Sequence, residues 1–359
     1  MEINYTLRIP IKKQKPTLIN SIVALGNPMV DIIAEVDDEI MQQFNFRKNE
    51  INFASNEDMQ FYSKIDGMLQ VSKSLGGSAL NILRSLSWNL KNNPIGNFNQ
   101  IKLSMLGCVG NDNYKRQIIR SLDSLNIKTN LLEEITDKRT SKCAVAIYNG
   151  DRYFLCDISA SKYLSRNFIQ NNWNDIISHD ALLIEGFFIK ENFELCKDIC
   201  EAFTKYGKYI ILTLSEPSII ENYRNEINFI AHMADMIFGN YKSIQKFIRG
   251  ENEARIENVI KGIYQILNNK DRIILVTARH NGVFCSKFDS QTQNEIHFQA
   301  YPEKISQNDI VDFNGAGDAF LGGFLSQQIL NQTLENCCHC GNHTAAVVIK
   351  QLGCNFPTN

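Results

Sequence analysis

The sequence predicts an α/β protein with a doubly wound, mostly parallel sheet flanked by helices. From Ile19 onward, short apolar runs alternate with longer stretches of helical period, the pattern of parallel strands joined by covering helices. No linker divides the 359 residues, which hold seven prolines and no Gly/Ser-rich, Pro-rich or charge-block segment between the periodic stretches. Two regions break the rhythm and predict a smaller β unit outside the main sheet.

In chain order, Ile3, Tyr5, Leu7, Ile9 and Ile11 alternate with polar residues as in a half-buried strand, which Pro10 would confine to a sheet edge. This extension, residues 1–18, reads equally as an edge strand, for this sheet or a partner's, and as a simple tail. Apolar runs give strands at 19–25, 101–107, 181–184, 209–213, 235–238 and 272–277. Between them, helical periodicity gives helices at 77–91, 112–126, 191–206, 252–268, 316–331 and 333–350. Segments 30–36, 69–74, 142–148 and 153–157 read as strands without crossover helices of matching length, hence as hairpins apart from the main sheet.

With 44% apolar residues and a formal net charge of -2, the composition is that of an ordinary globular protein. The balance, lacking basic blocks, argues against nucleic acid or an anionic membrane as partner. No apolar stretch approaches the roughly 20 residues that cross a bilayer, and the N-terminus lacks a signal-peptide apolar core, so a cytoplasmic protein is expected. Ten cysteines scattered through apolar segments read as reduced core residues. Cys337, Cys338, His339, Cys340 and His343 suggest zinc, but on a helix at 333–350 they point in different directions, so no metal ligands are assigned.

The most informative run is Asp312-Phe313-Asn314-Gly315-Ala316-Gly317-Asp318, which leads into an apolar helix. Two glycines one residue apart turn the backbone with its amides outward, and a helix N-terminus attracts anions, so the run suits a phosphate. Asp318, in the first turn, would repel that anion unless it served to take a proton from a hydroxyl attacking it. No Gly-x-x-x-x-Gly-Lys-Ser/Thr string occurs, and no Gly-x-Gly-x-x-Gly follows the first strand. The chain is therefore expected to be neither a P-loop enzyme nor a dinucleotide-dependent oxidoreductase.

The run resembles the C-terminal signature of the ribokinase-like (PfkB-type) carbohydrate kinases. Further segments are similar to the adenosine kinases among them: Gly26-Asn27-Pro28-Met29-Val30-Asp31, Gly76-Gly77-Ser78-Ala79-Leu80-Asn81, Gly107-Cys108-Val109-Gly110-Asn111-Asp112, Gly186-Phe187-Phe188, Phe238-Gly239-Asn240 and Gly353-Cys354-Asn355-Phe356-Pro357. The resemblance covers the chain from about residue 21 to its end. It implies a kinase domain over 19–359, with lid segments near 30–75 and 139–160 that close over substrate. It further implies ATP and magnesium as cofactors, and transfer of the γ-phosphoryl group to the 5'-hydroxyl of adenosine.

In that reading Asp318 is the base, and the amides of Gly315, Ala316 and Gly317 stabilise the moving phosphoryl group. Arg152 reaches the phosphates on closure. Asp31 accepts two hydrogen bonds from a ribose diol, with Asn27, Gly77, Ser78, Asn81 and Asn314 completing the sugar site. Phe154 and Phe188, with Met29, sandwich the purine. Asn240, Thr277 and Asn342 line the ATP site. A monomer binding adenosine and ATP is expected, unless the N-terminal strand mediates assembly.

The chain departs from the family's pattern in several places. The family's Asn-x-x-Glu, whose acid organises magnesium and its waters, is here Asn240-Tyr241-Lys242-Ser243. Asp-Thr before the glycines is Asp312-Phe313, Asp157 stands where an amide is usual, Lys115 replaces a glycine, and Glu185 replaces a small residue before Gly186. Two alternatives follow: a weakly active or inactive relative serving as a binding or structural subunit, and a kinase for another nucleoside or a free sugar.

Overall fold

The first strand, β1 (Ser21–Leu25), illustrates how a continuous apolar run is used. Ile22 and Ala24 face one apolar layer, Val23 and Leu25 the other, and all four are 0% exposed. A strand covered on both faces needs no polar alternation. The computed structural model describes residues 15–16, 18–42, 51–55, 57–93, 100–249, 255–268 and 270–357. The strand expected at 3–11 lies outside the described residues.

The strands that follow are β2 (Met29–Glu35), β3 (Ile51–Phe53), β4 (Val71–Gly76), β5 (Lys102–Gly110), β6 (Ile127–Lys128), β7 (Leu132–Ile135), β8 (Ser141–Tyr148) and β9 (Asp151–Asp157). Beyond them come β10 (Ala181–Glu185), β11 (Tyr209–Thr213), β12 (Met236–Asn240), β13 (Arg272–Thr277), β14 (Val283–Asp289) and β15 (Asn294–Ala300). Among the described residues ten strands form the main sheet, in the order β15-β14-β13-β12-β11-β10-β1-β5-β6 with β7 beside β5. Pairing is parallel from β6 through β13 and antiparallel at the β13–β14–β15 edge, a doubly wound, mostly parallel α/β fold. The order turns back at β1, with β10 on one side and β5 on the other.

A second sheet of five strands runs β3-β9-β8-β2-β4. The segments expected as hairpins all fall in it, but only β8 and β9 form one directly. β2 pairs parallel with β8 and antiparallel with β4. The register of these two pairings sets Asp31 between Ser74 and Cys143.

The helix Ala316–Ile329 is buried around most of its circumference, between the helices Ser78–Asn92 and Leu334–Val348. Adjacent glycines permit this: a Cβ on Gly322 would lie 2.3 Å from Ser85 Cβ, and one on Gly323 2.3 Å from Thr344 Oγ1. Its N-terminus is thus held on two sides. Cys337 and Cys338 pack into the same apolar layer, while Cys340 points to Asn89 and His343 to Glu303. No helix of the described residues is long and apolar enough to cross a membrane.

Candidate active site

A cavity of about 490 Å³ opens at the carboxyl ends of β1, β10, β11, β12 and β13, facing the second sheet. Open α/β sheets place ligands there, and the volume lies in the range of small-molecule sites.

Gly315 and Gly317 both line it, for different reasons. Gly315 precedes the helix with φ 76°, and a Cβ on it would lie 2.5 Å from Cys354 Cβ, so packing and conformation both demand glycine. A Cβ on Gly317 would meet nothing closer than Phe238 Cζ at 3.8 Å. The protein has room for a side chain at 317. Ala316 does not line the cavity and its amide donates to the Phe313 carbonyl at 3.2 Å. This takes Ala316 out of the expected three-amide cradle; Gly315 stays at the cavity wall, and the first-turn amides of Gly317 and Asp318 have no intrahelical acceptor.

Asp318 is half-buried, lines the cavity, and accepts bonds from Ser78 Oγ and, at 3.2 Å, Asn81 Nδ2. Removal from water pushes its carboxyl up to about 6, against these two bonds. The helix N-terminus, which favours the ionised form, loses to desolvation. Asp318 is thereby a better base near neutrality than its position in the first turn alone suggests.

Asp31 is 6% exposed, and its carboxyl is pushed up to about 7, first by burial and then by the charges of Asp318 and Asp312. Asn314 Nδ2 donates to it at 3.4 Å. Its oxygen fills the space a Cβ on Gly76 would need. Asn27 is 2% exposed, lines the cavity, and has an Oδ1 without a hydrogen-bond partner among the described residues. A buried orphan acceptor in a cavity wall calls for a ligand donor such as a hydroxyl. Gly77, at φ 94°, brings the Asn27 carbonyl to 2.0 Å from where a Cβ would lie and starts the helix bearing Ser78 and Asn81. Asn27, Asp31, Gly77, Ser78, Asn81, Asn314 and Asp318 thus surround one space.

Across from them, Met29, Ile51, Phe53, Cys143, Phe154, Cys156 and Ile158 form an apolar wall. Phe154 lies there. Phe188 does not: it is 0% exposed within the core layer, and Phe187 lines the cavity instead. Consecutive residues on a helix point about 100° apart, so one ring of the pair faces the sheet and the other the cavity. Arg152, also in the wall, is ion-paired at 3.1 Å with Asp312, which in turn accepts from the amides of Asn314 and Gly353. The guanidinium is docked at the start of the glycine run.

On the remaining side, Asn240 and Thr277 line the cavity, but Asn342 does not. Its amide donates to the carbonyls of Ala300 and Tyr301, at 3.3 and 2.9 Å, and fastens its helix to the end of β15. The sequence match located the helix but not the direction of this side chain. Asn240 caps the next helix by accepting from Ser243 N, and Ser243 Oγ donates to the Ser215 carbonyl. Two acids not assigned to the site from sequence, Glu185 and Glu216, line the cavity as well. The described residues form no group of three His, Cys, Asp or Glu side chains that could hold a metal. The donors at hand suit a magnesium ion that takes most of its ligands from phosphate and water.

The family pattern described as pfkB family carbohydrate kinase matches residues 38–359. Adenosine kinase 2 of Arabidopsis thaliana is 26% identical over 347 residues, covering 94% of this chain and 95% of its own. Adenosine kinase of Saccharomyces cerevisiae is 22% identical over 342 residues, covering 94% and 97%. Among solved structures, Anopheles gambiae adenosine kinase in complex with P1,P4-di(adenosine-5) tetraphosphate superposes with a TM-score of 0.79 at 25% identity, covering 94% of this chain and 98% of that one. Schistosoma mansoni adenosine kinase in complex with 2-fluoroadenosine gives a TM-score of 0.81 at 22% identity, covering 95% and 98%, and so shares the fold. The chain therefore belongs to the pfkB family of carbohydrate kinases and is a phosphotransferase of the nucleoside and sugar kinase class.

Proposed function

We propose that the chain transfers the γ-phosphoryl group of ATP to the 5'-hydroxyl of adenosine, giving AMP. The observation that carries this reading is Gly317, a glycine that neither packing nor conformation requires, at the cavity wall beside a carboxyl raised to about 6. An empty Cβ position there is explained by a ligand that must approach the backbone closely.

In this mechanism Asp31 and the orphan Oδ1 of Asn27 accept hydrogen bonds from the ribose diol, and the apolar wall with Phe154 and Phe187 takes the purine. Asp318, steadied by Ser78 and Asn81, aims the 5'-hydroxyl at the phosphorus and receives its proton as the new bond forms. The amides of Gly317 and Asp318 stabilise the negative charge on the transferring group, and Arg152 adds positive charge at the same end of the cavity. Magnesium bound to ATP would neutralise phosphate charge, and Asn240, Thr277 and Glu216 are the residues suited to hold its waters. Closure of the second sheet over the cavity would exclude water from the reaction.

Ser243 supports a second reading, a weakly active or inactive binding subunit, because the family's acid is missing there and the serine hydroxyl is spent on a backbone carbonyl. One coupled assay separates the readings. ADP formation is measured with adenosine, inosine, guanosine or ribose, with Asp318→Asn as control. The proposal expects turnover dependent on adenosine and lost in the variant. Adenosine binding without turnover above the variant at saturating magnesium would favour the binding subunit.

A further inference from the structure

Glu185 stands at the end of β10 and is 1% exposed. Its two oxygens accept from two different parts of the chain: Oε1 from the Asn27 amide at 2.7 Å, and Oε2 from the Ala79 amide at 2.6 Å. The first amide belongs to the loop that follows β1 and leads to Asp31. The second belongs to the first turn of the helix Ser78–Asn92.

That turn needs an acceptor from outside. Its N-cap is Gly77, which has no side chain to offer and, at φ 94° against the Asn27 carbonyl, no room for one. Ser78 has turned its hydroxyl away, onto Asp318. Of the first-turn donors, the Ala79 amide is thus satisfied by Glu185 from another strand. The carboxyl is also wedged in place: a Cβ on Gly26 would lie 2.7 Å from Glu185 Cδ and 2.5 Å from Ala79 Cβ. One rigid group therefore joins the loop that presents Asn27 to the helix whose Ser78 and Asn81 grip Asp318.

We propose that Glu185 is a positioning residue for phosphoryl transfer: by capping this helix from β10 while holding the Asn27 loop, it fixes the spacing between Asp318 and the sugar-binding residues. The proposal rests on the reading of Asp318 as the base. Misplacement of reacting groups by about 1 Å can cost on the order of 10²-fold in rate, so the spacing matters more than the stability of the bonds themselves.

The test is a double-mutant cycle between Glu185→Ala and Ser78→Ala, read as kcat and KM with adenosine and ATP, with thermal denaturation of each variant. Glu185→Ala is expected to lower kcat roughly 10- to 100-fold, while KM for ATP stays within about twofold, because its bonds lie on the sugar side. Glu185→Gln, which keeps an acceptor for one amide and sets an NH2 against the other, should fall between wild type and Glu185→Ala. In the Ser78→Ala background Glu185→Ala should have a clearly smaller effect on kcat, because one of the two bonds through which this helix holds Asp318 is gone. Equal factors in both backgrounds, or an unchanged kcat, overturn the proposal. If Glu185→Ala does not fold, Glu185→Gln carries the same cycle. If neither folds, Glu185 is a structural residue and the proposal is wrong. Wild type that neither binds nor phosphorylates adenosine defeats the reading of the site itself, a result distinct from active wild type with an additive cycle.

Discussion

Replacing Gly317 with alanine separates what the fold needs from what the ligand needs. The added methyl meets no protein atom within 3.8 Å, and 317 is the second residue of the helix, where alanine is preferred over glycine. Glycine in a helix interior costs roughly 0.5–1 kcal/mol relative to alanine, and a first-turn position should give about half of that. The variant is therefore expected to melt no lower than wild type, and about 1 °C higher, since 1 kcal/mol moves a large domain by roughly 2–4 °C. In the cavity the same methyl projects where the phosphoryl group must approach the amides. Losing one such donor typically costs about 3 kcal/mol, so kcat should fall on the order of 10²-fold. Adenosine affinity, set by Asp31 and Asn27, should stay within a few-fold. Gly315→Ala is the contrasting case, because its Cβ would collide with Cys354 and its left-handed conformation adds about 1–2 kcal/mol of strain. Calorimetry and adenosine-dependent ADP release measure both. If Gly317→Ala turns over within threefold of wild type, no phosphate is cradled there. If it instead melts several degrees lower, the glycine is structural.

Asp318→Asn should lower kcat by at least about 10³-fold with an unchanged melting curve, and wild-type kcat/KM should fall roughly tenfold per pH unit below about 6; a flat profile to pH 5 would exclude Asp318 as the base. Asp31, raised from an ordinary carboxylate value to about 7, binds its proton more tightly folded than unfolded. Its contribution is fully present below about pH 4 and lost as pH rises through 7. Urea melts of wild type and Asp31→Asn should therefore show wild type losing, relative to the variant, on the order of a few kcal/mol between pH 4 and 8. Glu216→Gln should raise the magnesium concentration needed for half-maximal activity several-fold, whereas Ser243→Ala should not, because the serine hydroxyl is turned to the Ser215 carbonyl; equal magnesium titrations for wild type and Glu216→Gln would remove Glu216 from that role.

Six parallel strands of the main sheet were legible because they are covered on both faces and so read as apolar runs, whereas the short, partly exposed β6 and β7 beside β5 were not. The β14–β15 hairpin was not, since β15 has an exposed face and reads mostly polar. The helix expected from 191 begins five residues earlier, at Gly186, and is kinked at Asn192 (φ -133°, ψ 35°), so the expected range covers mainly the part after the kink. Backbone requirements were easier to read than side-chain directions. Gly315 and Gly77 sit at positive φ in the two loops singled out from sequence. Phe188 and Asn342, by contrast, lie in matching segments but point elsewhere, because a motif fixes the path of the chain while packing fixes each rotamer.

The buried acids show the same limit from the electrostatic side. A place in a helix's first turn by itself favours an ionised Asp318, and the departure at 185 gave no sign that its carboxyl would meet two backbone amides some 106 and 158 residues away in the chain. Asp31, Glu185 and Asp318 come from three separate elements, and each is raised because the fold removes all three from water around one cavity. Such a cluster is disfavoured at neutral pH unless its hydrogen bonds or a bound ligand offset the desolvation. Adenosine donating hydroxyl protons to Asp31 and Asp318 would favour their ionised forms, so saturating adenosine should lower the pH at which these carboxyls titrate. Proton release on adenosine binding, measured by calorimetry in two buffers of different ionisation enthalpy at pH 6.5, tests this. Proton uptake would mean that the ligand meets the acids in their neutral form, and the hydrogen-bond directions assigned here would have to be reversed.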